Sequence, residues 1–235
     1  NKSLDIAEKD YRGLVIGNQG AHFSVGANIA MIFMMAVEQE YDELNMAIRM
    51  FQNTMMRMRY SSIPTVAAIH GMTFGGGCEL SLHADQVVAA SETYMGLVEF
   101  GVGVIPGGGG TKELTLRASD TFKANDVEVN RLREAFLTIA MAKVSTSGHE
   151  AFDLGLLQKG KDHIVVGKQR LIAKAITHVT ADLPHSPEWL RSDLIDRYKW
   201  ASFTEALVKI HNPEKTDDCL LESPYRQRLA YDAIL

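Results

Sequence analysis

Two glutamates sit beside runs of glycine in this sequence, and together they could carry acid/base chemistry. Glu79 lies in Gly75-Gly76-Gly77-Cys78-Glu79-Leu80-Ser81-Leu82. Three glycines ahead of a helical segment expose the unpaired N–H groups of the helix start, which attract anions. Aimed at a carbonyl oxygen, they would stabilise the negative charge that develops there during reaction. Gly76 is the candidate donor. The same run also reads as a tight turn that packs a helix on a sheet. Glu99 lies in Met95-Gly96-Leu97-Val98-Glu99-Phe100-Gly101, an otherwise apolar stretch where a buried carboxylate would be costly. Two carboxylates facing one reacting bond could activate a water and pass its proton to carbon. A lone glutamate is more often a solvated or capping carboxylate, so both readings stay open at this point.

Other motifs narrow the chemistry. Gly107-Gly108-Gly109-Gly110-Thr111 follows Pro106 and opens a second helical segment at Lys112-Glu113-Leu114, but Thr111 separates Gly110 from Lys112. The Gly-Lys-Ser/Thr order of a phosphate-cradling loop is therefore absent. Gly17 and Gly20 follow a strand-like run without completing a dinucleotide fingerprint. His70 and His83 flank the first glycine turn with no second ligand at metal spacing, so they read as packing or hydrogen-bonding histidines and no metal is expected. Ser145-Thr146-Ser147-Gly148 has no nucleophile elbow and reads as a helix-capping turn.

The elements that must position these residues follow from periodicity. A helix is expected in the first ten residues, then a strand over Leu14-Val15-Ile16, and a loop around residues 22–28. Tyr41, Leu44, Ile48, Phe51, Met55 and Met58 recur at steps of three and four and predict an amphipathic helix. The methionines between Met31 and Met58 read as core or interface filler. Thr65 to Ile69, ending at Gly71, and Gln86 to Ala90 predict buried strands on either side of the first glycine turn and its helix. After Ala118 the character is helical (129–142, 149–157, 169–180), broken by a short run at 164–166. Pro184, Pro187 and Asn212-Pro213 mark breaks before further helices. Strands alternating with helices predict an α/β fold with a largely parallel sheet.

Composition bounds the rest. A chain of 235 residues at 46% hydrophobic can bury one substantial core. A net charge of −5 without a basic stripe disfavours nucleic acid. Cys78 and Cys219 form no CxxC pair, which fits a reducing compartment, and a cytoplasmic location is expected. Cys78 reads as a small buried hydrophobe. No stretch approaches a membrane span.

The run from Ile69 to Leu80, the Ala84-Asp85 pair after it, the spacing 99 − 79 = 20 between the glutamates, and Gly103 to Thr111 together resemble the crotonase (enoyl-CoA hydratase/isomerase) superfamily. The match extends from Tyr11 to Val166. The resemblance implies a ClpP/crotonase spiral of ββα units, with residues 1–167 as catalytic core and 168–235 as a C-terminal helical region. It implies an acyl-CoA substrate, catalysis by Glu79 and Glu99, and an oxyanion hole from the N–H groups of Ala27 and Gly76. Substrate contacts would come from Phe23, Val25, Gly26, Gly75, Pro106 and Gly107. Isomerases of the superfamily commonly keep only the later glutamate. Having both favours syn hydration of a trans-2-enoyl-CoA to the 3-hydroxyacyl-CoA in fatty-acid β-oxidation. Another crotonase-fold isomerase, hydrolase or lyase, or a non-catalytic CoA-binding domain, is the alternative.

Asn28 stands where many relatives have Asp. Residues 23–28, 91–99 and the four glycines before Thr111 are most similar to the hydratase-like portion of fused bacterial 3-hydroxyacyl-CoA dehydrogenases, which place an NAD-binding half before it. The chain starts partway through what looks like the family's first helix, so it is expected to be part of a longer polypeptide. No cofactor is expected on this chain, and NAD only with such a dehydrogenase half. Relatives form trimers or dimers of trimers, so a homo-oligomer is expected.

Overall fold

A computed structural model of the chain describes residues 2–123 and 127–179. The breaks at Pro184, Pro187 and Asn212-Pro213, the helices expected around them, and Cys219 lie outside the described residues.

Among those residues the order is α1 (Lys2–Asp10), β1 (Leu14–Gly17), α2 (Ile29–Val37), α3 (Tyr41–Arg59), β2 (Thr65–Phe74), α4 (Gly76–His83) and β3 (Gln86–Gly96). A 3₁₀ turn at Glu99–Val102 follows, then α5 (Gly110–Ser119), α6 (Glu128–Ala140), α7 (Gly148–Asp153), β4 (His163–Val165), a 3₁₀ turn at Lys168–Arg170 and α8 (Leu171–Thr177). The strands form one sheet in the order β1-β2-β3-β4, every neighbouring pair parallel. The fold is α/β with a parallel sheet, as the alternation of strands and helices predicts.

Side chains on β2 alternate between two cores, which is the period-two consequence of an extended backbone. Ala67 and Ile69, with Val87 and Ala89 of β3, pack against Met58 of α3, Cys78 and Leu82 of α4 and Leu114 of α5. Val66, Ala68 and Val88 face the other way, onto Leu171, Ala175 and Val179. Burial on both faces explains why these strands read as continuous apolar runs rather than alternating ones. The expected division between residues 167 and 168 falls just before α8, which closes the second core. Cys78 is fully buried, as expected of a small hydrophobe.

Three departures from the periodicity have local causes. First, α2 falls between the expected loop and α3, where the periodicity predicts no helix. Its sequence, IAMIFMMAV, is apolar all round and so carries no helical stripe, yet Asn28 Oδ1 caps it by accepting from the Met31 N–H at 3.2 Å. None of its described side chains is buried. Second, of the methionines in this region Met55 and Met58 are core, whereas Met31, Met34, Met46 and Met50 are exposed.

Third, β2 and β3 run beyond their expected ends. Ile69 pairs with Ala89 but Gly71 pairs with Thr93, a bulge that lets both strands continue to Phe74 and Gly96. This extension matters for position. Phe23 donates its N–H to His70 O at 2.9 Å, Ser24 donates to Met72 O at 3.1 Å, and Phe74 donates to Ser24 O at 2.9 Å. The loop of residues 23–28 is thereby stitched to the end of β2, directly before the glycine turn.

The fit there is close. A methyl group on Gly77 would come 2.4 Å from Ser24 Cβ, nearer than atoms tolerate. Gly77→Ala gains about 1 kcal/mol of helix propensity but meets an overlap that costs about 1–3 kcal/mol, and Ser24 is held by its backbone pairing. We expect a lower urea midpoint for this variant. A midpoint that stays or rises would mean that the loop yields.

Candidate active site

Glycine at position 75 is required by its backbone, with φ +52 and ψ −124, a region closed to residues with a side chain. From there α4 starts at Gly76, so the N–H groups of its first turn have no partner within the helix. Gly26, with φ +92, lies against the same turn: a methyl on it would come 3.5 Å from Phe74 O and 3.9 Å from Gly75 Cα. The structure therefore brings Gly26 and Gly75 together, each one residue before a candidate donor, Ala27 and Gly76 respectively. Phe23 packs against the larger core, while Val25 is exposed.

Glu79 follows in the first turn of α4 and is 1% exposed. Its Oε1 accepts two backbone N–H groups, from Gly108 at 2.8 Å and Gly110 at 2.9 Å. The second glycine cluster thus serves the glutamate of the first. A side chain at Gly108 would come 2.6 Å from Glu79 Oε2 and 2.3 Å from the Phe51 ring. Charge-assisted bonds contribute about 1.5–3 kcal/mol each, while desolvating a carboxylate costs several kcal/mol. Burial still raises the Glu79 carboxyl above its ordinary value, opposed by the N–H groups of Gly110, Gly108 and Gly109.

Glu99 opens the 3₁₀ turn after β3 and is half-buried. Its Oε1 lies 3.3 Å from where a side chain on Gly75 would begin, and its buried Oε2 has no hydrogen-bond partner among the described residues. Burial pushes its carboxyl up to about 7; its own backbone N–H opposes this and the nearby Glu79 charge reinforces it. The two carboxylates thus share one neighbourhood with different proton affinities. Burial raises both, and only Glu79 has N–H donors from a second loop to oppose it.

Pro106 is buried. Gly107 is half-buried, and its carbonyl accepts from Gln52 Nε2 at 2.8 Å. His70 and His83 make the hydrogen bonds expected of them, Nε2 with Gly20 O at 2.9 Å and Nδ1 with Glu79 O at 2.7 Å. Ser147 caps α7 by accepting from the Glu150 N–H, as its capping turn predicts. Sequence reasoning missed three contributors: Gly108 and Gly110 as donors to Glu79, and the Phe51 ring, which lies 3.0 Å from where a side chain on Gly76 would begin. The four-glycine run was the available signal, but it does not say which acceptor its N–H groups meet.

A family model described as enoyl-CoA hydratase/isomerase matches residues 1–130. A protein of Bacillus subtilis (strain 168) named probable 3-hydroxyacyl-CoA dehydrogenase is 49% identical over 175 residues, 74% of this chain but 22% of its own length. The chain thus spans about a fifth of that relative. A probable enoyl-CoA hydratase of the same organism is 33% identical over 192 residues, 80% of this chain and 66% of its own. Among solved structures, an enoyl-CoA hydratase from Bacillus anthracis superposes with a TM-score of 0.63 at 25% identity, covering 99% of this chain and 77% of that one.

The raised Glu99 value has a consequence for stability. Between 4.5, the ordinary glutamate value, and about 7, the unfolded chain holds fewer protons at this residue than the fold does. Stability therefore falls as pH rises through that window and levels off above it. Chemical denaturation across pH 4–8 should show this loss in the unaltered chain relative to Glu99→Gln. Parallel curves would mean that the Glu99 carboxyl is solvated.

Proposed function

The chain belongs to the enoyl-CoA hydratase/isomerase family, and from that membership we propose that it hydrates a trans-2-enoyl-CoA to the 3-hydroxyacyl-CoA. The observation that carries this reading is the pairing of two desolvated glutamates of unequal proton affinity beside the open N-terminus of α4.

Glu79, whose Oε1 is fixed by two N–H donors, is the ionised partner. It orients a water and takes its proton as the oxygen attacks C3. Electrons of the C2=C3 bond move toward the thioester oxygen, where the N–H groups of Ala27 and Gly76 hold the developing charge. Glu99, protonated near neutrality, delivers its proton to C2. The product gains one oxygen and two hydrogens. The cycle ends with Glu79 protonated and Glu99 ionised, and the proton must return from one to the other before the next turnover. Phe23, Val25, Gly26, Gly75, Pro106 and Gly107 line the approach for the CoA thioester in this reading.

The context in this reading is fatty-acid β-oxidation, which the names of the relatives suggest, with the cytoplasm as the proposed location. A nicotinamide cofactor belongs to this reading only through a dehydrogenase half of a longer polypeptide. No described helix is long and apolar enough to cross a membrane. Association into a homo-oligomer is part of the same reading.

Incubation with crotonyl-CoA and a longer enoyl-CoA should remove the absorbance of the conjugated thioester. Glu79→Gln and Glu99→Gln should each lower the rate about 10²- to 10⁴-fold. Because Glu99 acts as the acid, kcat/KM should decline as pH rises through about 7. A folded chain that binds the thioester and leaves its absorbance unchanged, or returns a shifted double bond, would exclude hydration.

A further inference from the structure

Behind the loop that holds Glu79 lies a charged cluster, with His83 and Glu113 buried and Lys112 and Arg59 half-buried, to which the hydration chemistry gives no part. The loop enters α5 at Gly110, and Lys112 and Glu113 follow at once. Lys112 Nζ lies 3.0 Å from His83 Nε2, 3.0 Å from Glu113 Oε1 and 3.0 Å from Met56 Sδ of α3. Glu113 is 1% exposed, with Arg59 3.8 Å from its Oε2 and His83 Nε2 3.6 Å from its Oε1. His83 stands one turn after Glu79 on α4, fully out of water, with Nδ1 2.7 Å from the Glu79 carbonyl oxygen.

The proton inventory is set by these partners. A carbonyl oxygen only accepts, so Nδ1 carries the His83 proton and donates it to Glu79 O. That leaves Nε2 as acceptor, and the Lys112 ammonium is the donor that meets it. Burial holds the His83 ring down at about 4, with Glu113 opposing and Lys112 and Arg59 reinforcing, so the ring is neutral under working conditions. The ring also underlies the loop: a side chain on Gly109 would begin 3.3 Å from Cε1 and Nε2. Lys112, one turn beyond the loop's donors, is thus tied through His83 to the helix that carries their acceptor.

We propose that Lys112 is a positioning residue: through His83 and Glu113 it fixes the separation of α4 from the Gly108–Gly110 loop, and so keeps both loop N–H groups on the Glu79 carboxylate. The proposal rests on Glu79 acting as the base of the hydration reaction. Without the ammonium, His83 Nε2 loses its donor and Glu113 its nearest counter-charge, so the tie at the start of α5, next to the loop, is lost, while Arg117 further along α5 still donates to Leu82 O of α4 at 3.0 Å. A carboxylate that loses N–H donors becomes harder to ionise.

The test uses the whole 235-residue chain. Lys112→Met keeps an unbranched stem of similar length and removes the ammonium, while Lys112→Arg restores a cation. The Glu79 carboxyl is titrated by ¹³C NMR, with its resonance assigned through Glu79→Gln, a readout that needs no substrate. In Lys112→Met the titration should move upward by roughly one pH unit, and Lys112→Arg should restore most of it. For enoyl-CoA turnover, kcat should fall about 10- to 100-fold with KM little changed. An unmoved Glu79 titration would overturn the proposal, even if activity fell along with the melting temperature. A moved titration in a chain that hydrates no enoyl-CoA would keep the positioning role and remove the hydratase reading. If Lys112→Met does not fold, Lys112→Gln is read by the same titration.

Discussion

The site depends on a carboxylate taken out of water and given two backbone donors in exchange. Glu79 is 1% exposed, and its Oε1 receives the N–H groups of Gly108 and Gly110. Much of the surrounding architecture follows from this arrangement. The donors must be backbone, because a side chain at Gly108 would strike both Phe51 and Glu79 Oε2. The loop must also be held without side chains of its own. Gln52 of α3 accordingly grips Gly107 O, and the Phe51 ring covers Gly108. The buried His83 and Glu113, with the half-buried Lys112, bind α4 to the start of α5.

The second glutamate shows the same chemistry under a different constraint. Glu99 is less buried than Glu79, yet burial pushes its carboxyl to about 7, because its Oε2 lacks a donor to offset the lost water and the Glu79 charge adds to the effect. Two identical side chains are thus separated in proton affinity by their partners rather than by depth alone. The bulge after Ile69 contributes here, since it lets β2 and β3 run on to Phe74 and Gly96, delivering Gly75 and the 3₁₀ turn of Glu99 to the same end of the sheet. Gly75 N–H donates to Gly96 O at 3.0 Å, which locks the two strand ends together at the site.

The sequence by itself determined the parallel α/β class, the glycine turn opening α4 and the amphipathic α3, and it singled out both glutamates as candidates. Each of these is written in local terms, as periodicity, as a glycine run or as a spacing that a known family shares. It did not determine α2, whose uniformly apolar residues carry no period, or the strand ends beyond Gly71 and Ala90, which depend on a bulge set by pairing between strands. Nor could it assign the second glycine run an acceptor. A backbone N–H has the same chemistry in every residue but proline, so only the packing of α5 on α4 decided that Gly108 and Gly110 face Glu79. The unequal proton affinities of the two glutamates were likewise decided in three dimensions, because desolvation and hydrogen bonding act through distance, and residues 79, 99, 108 and 110 come within reach of one another only after the chain has folded.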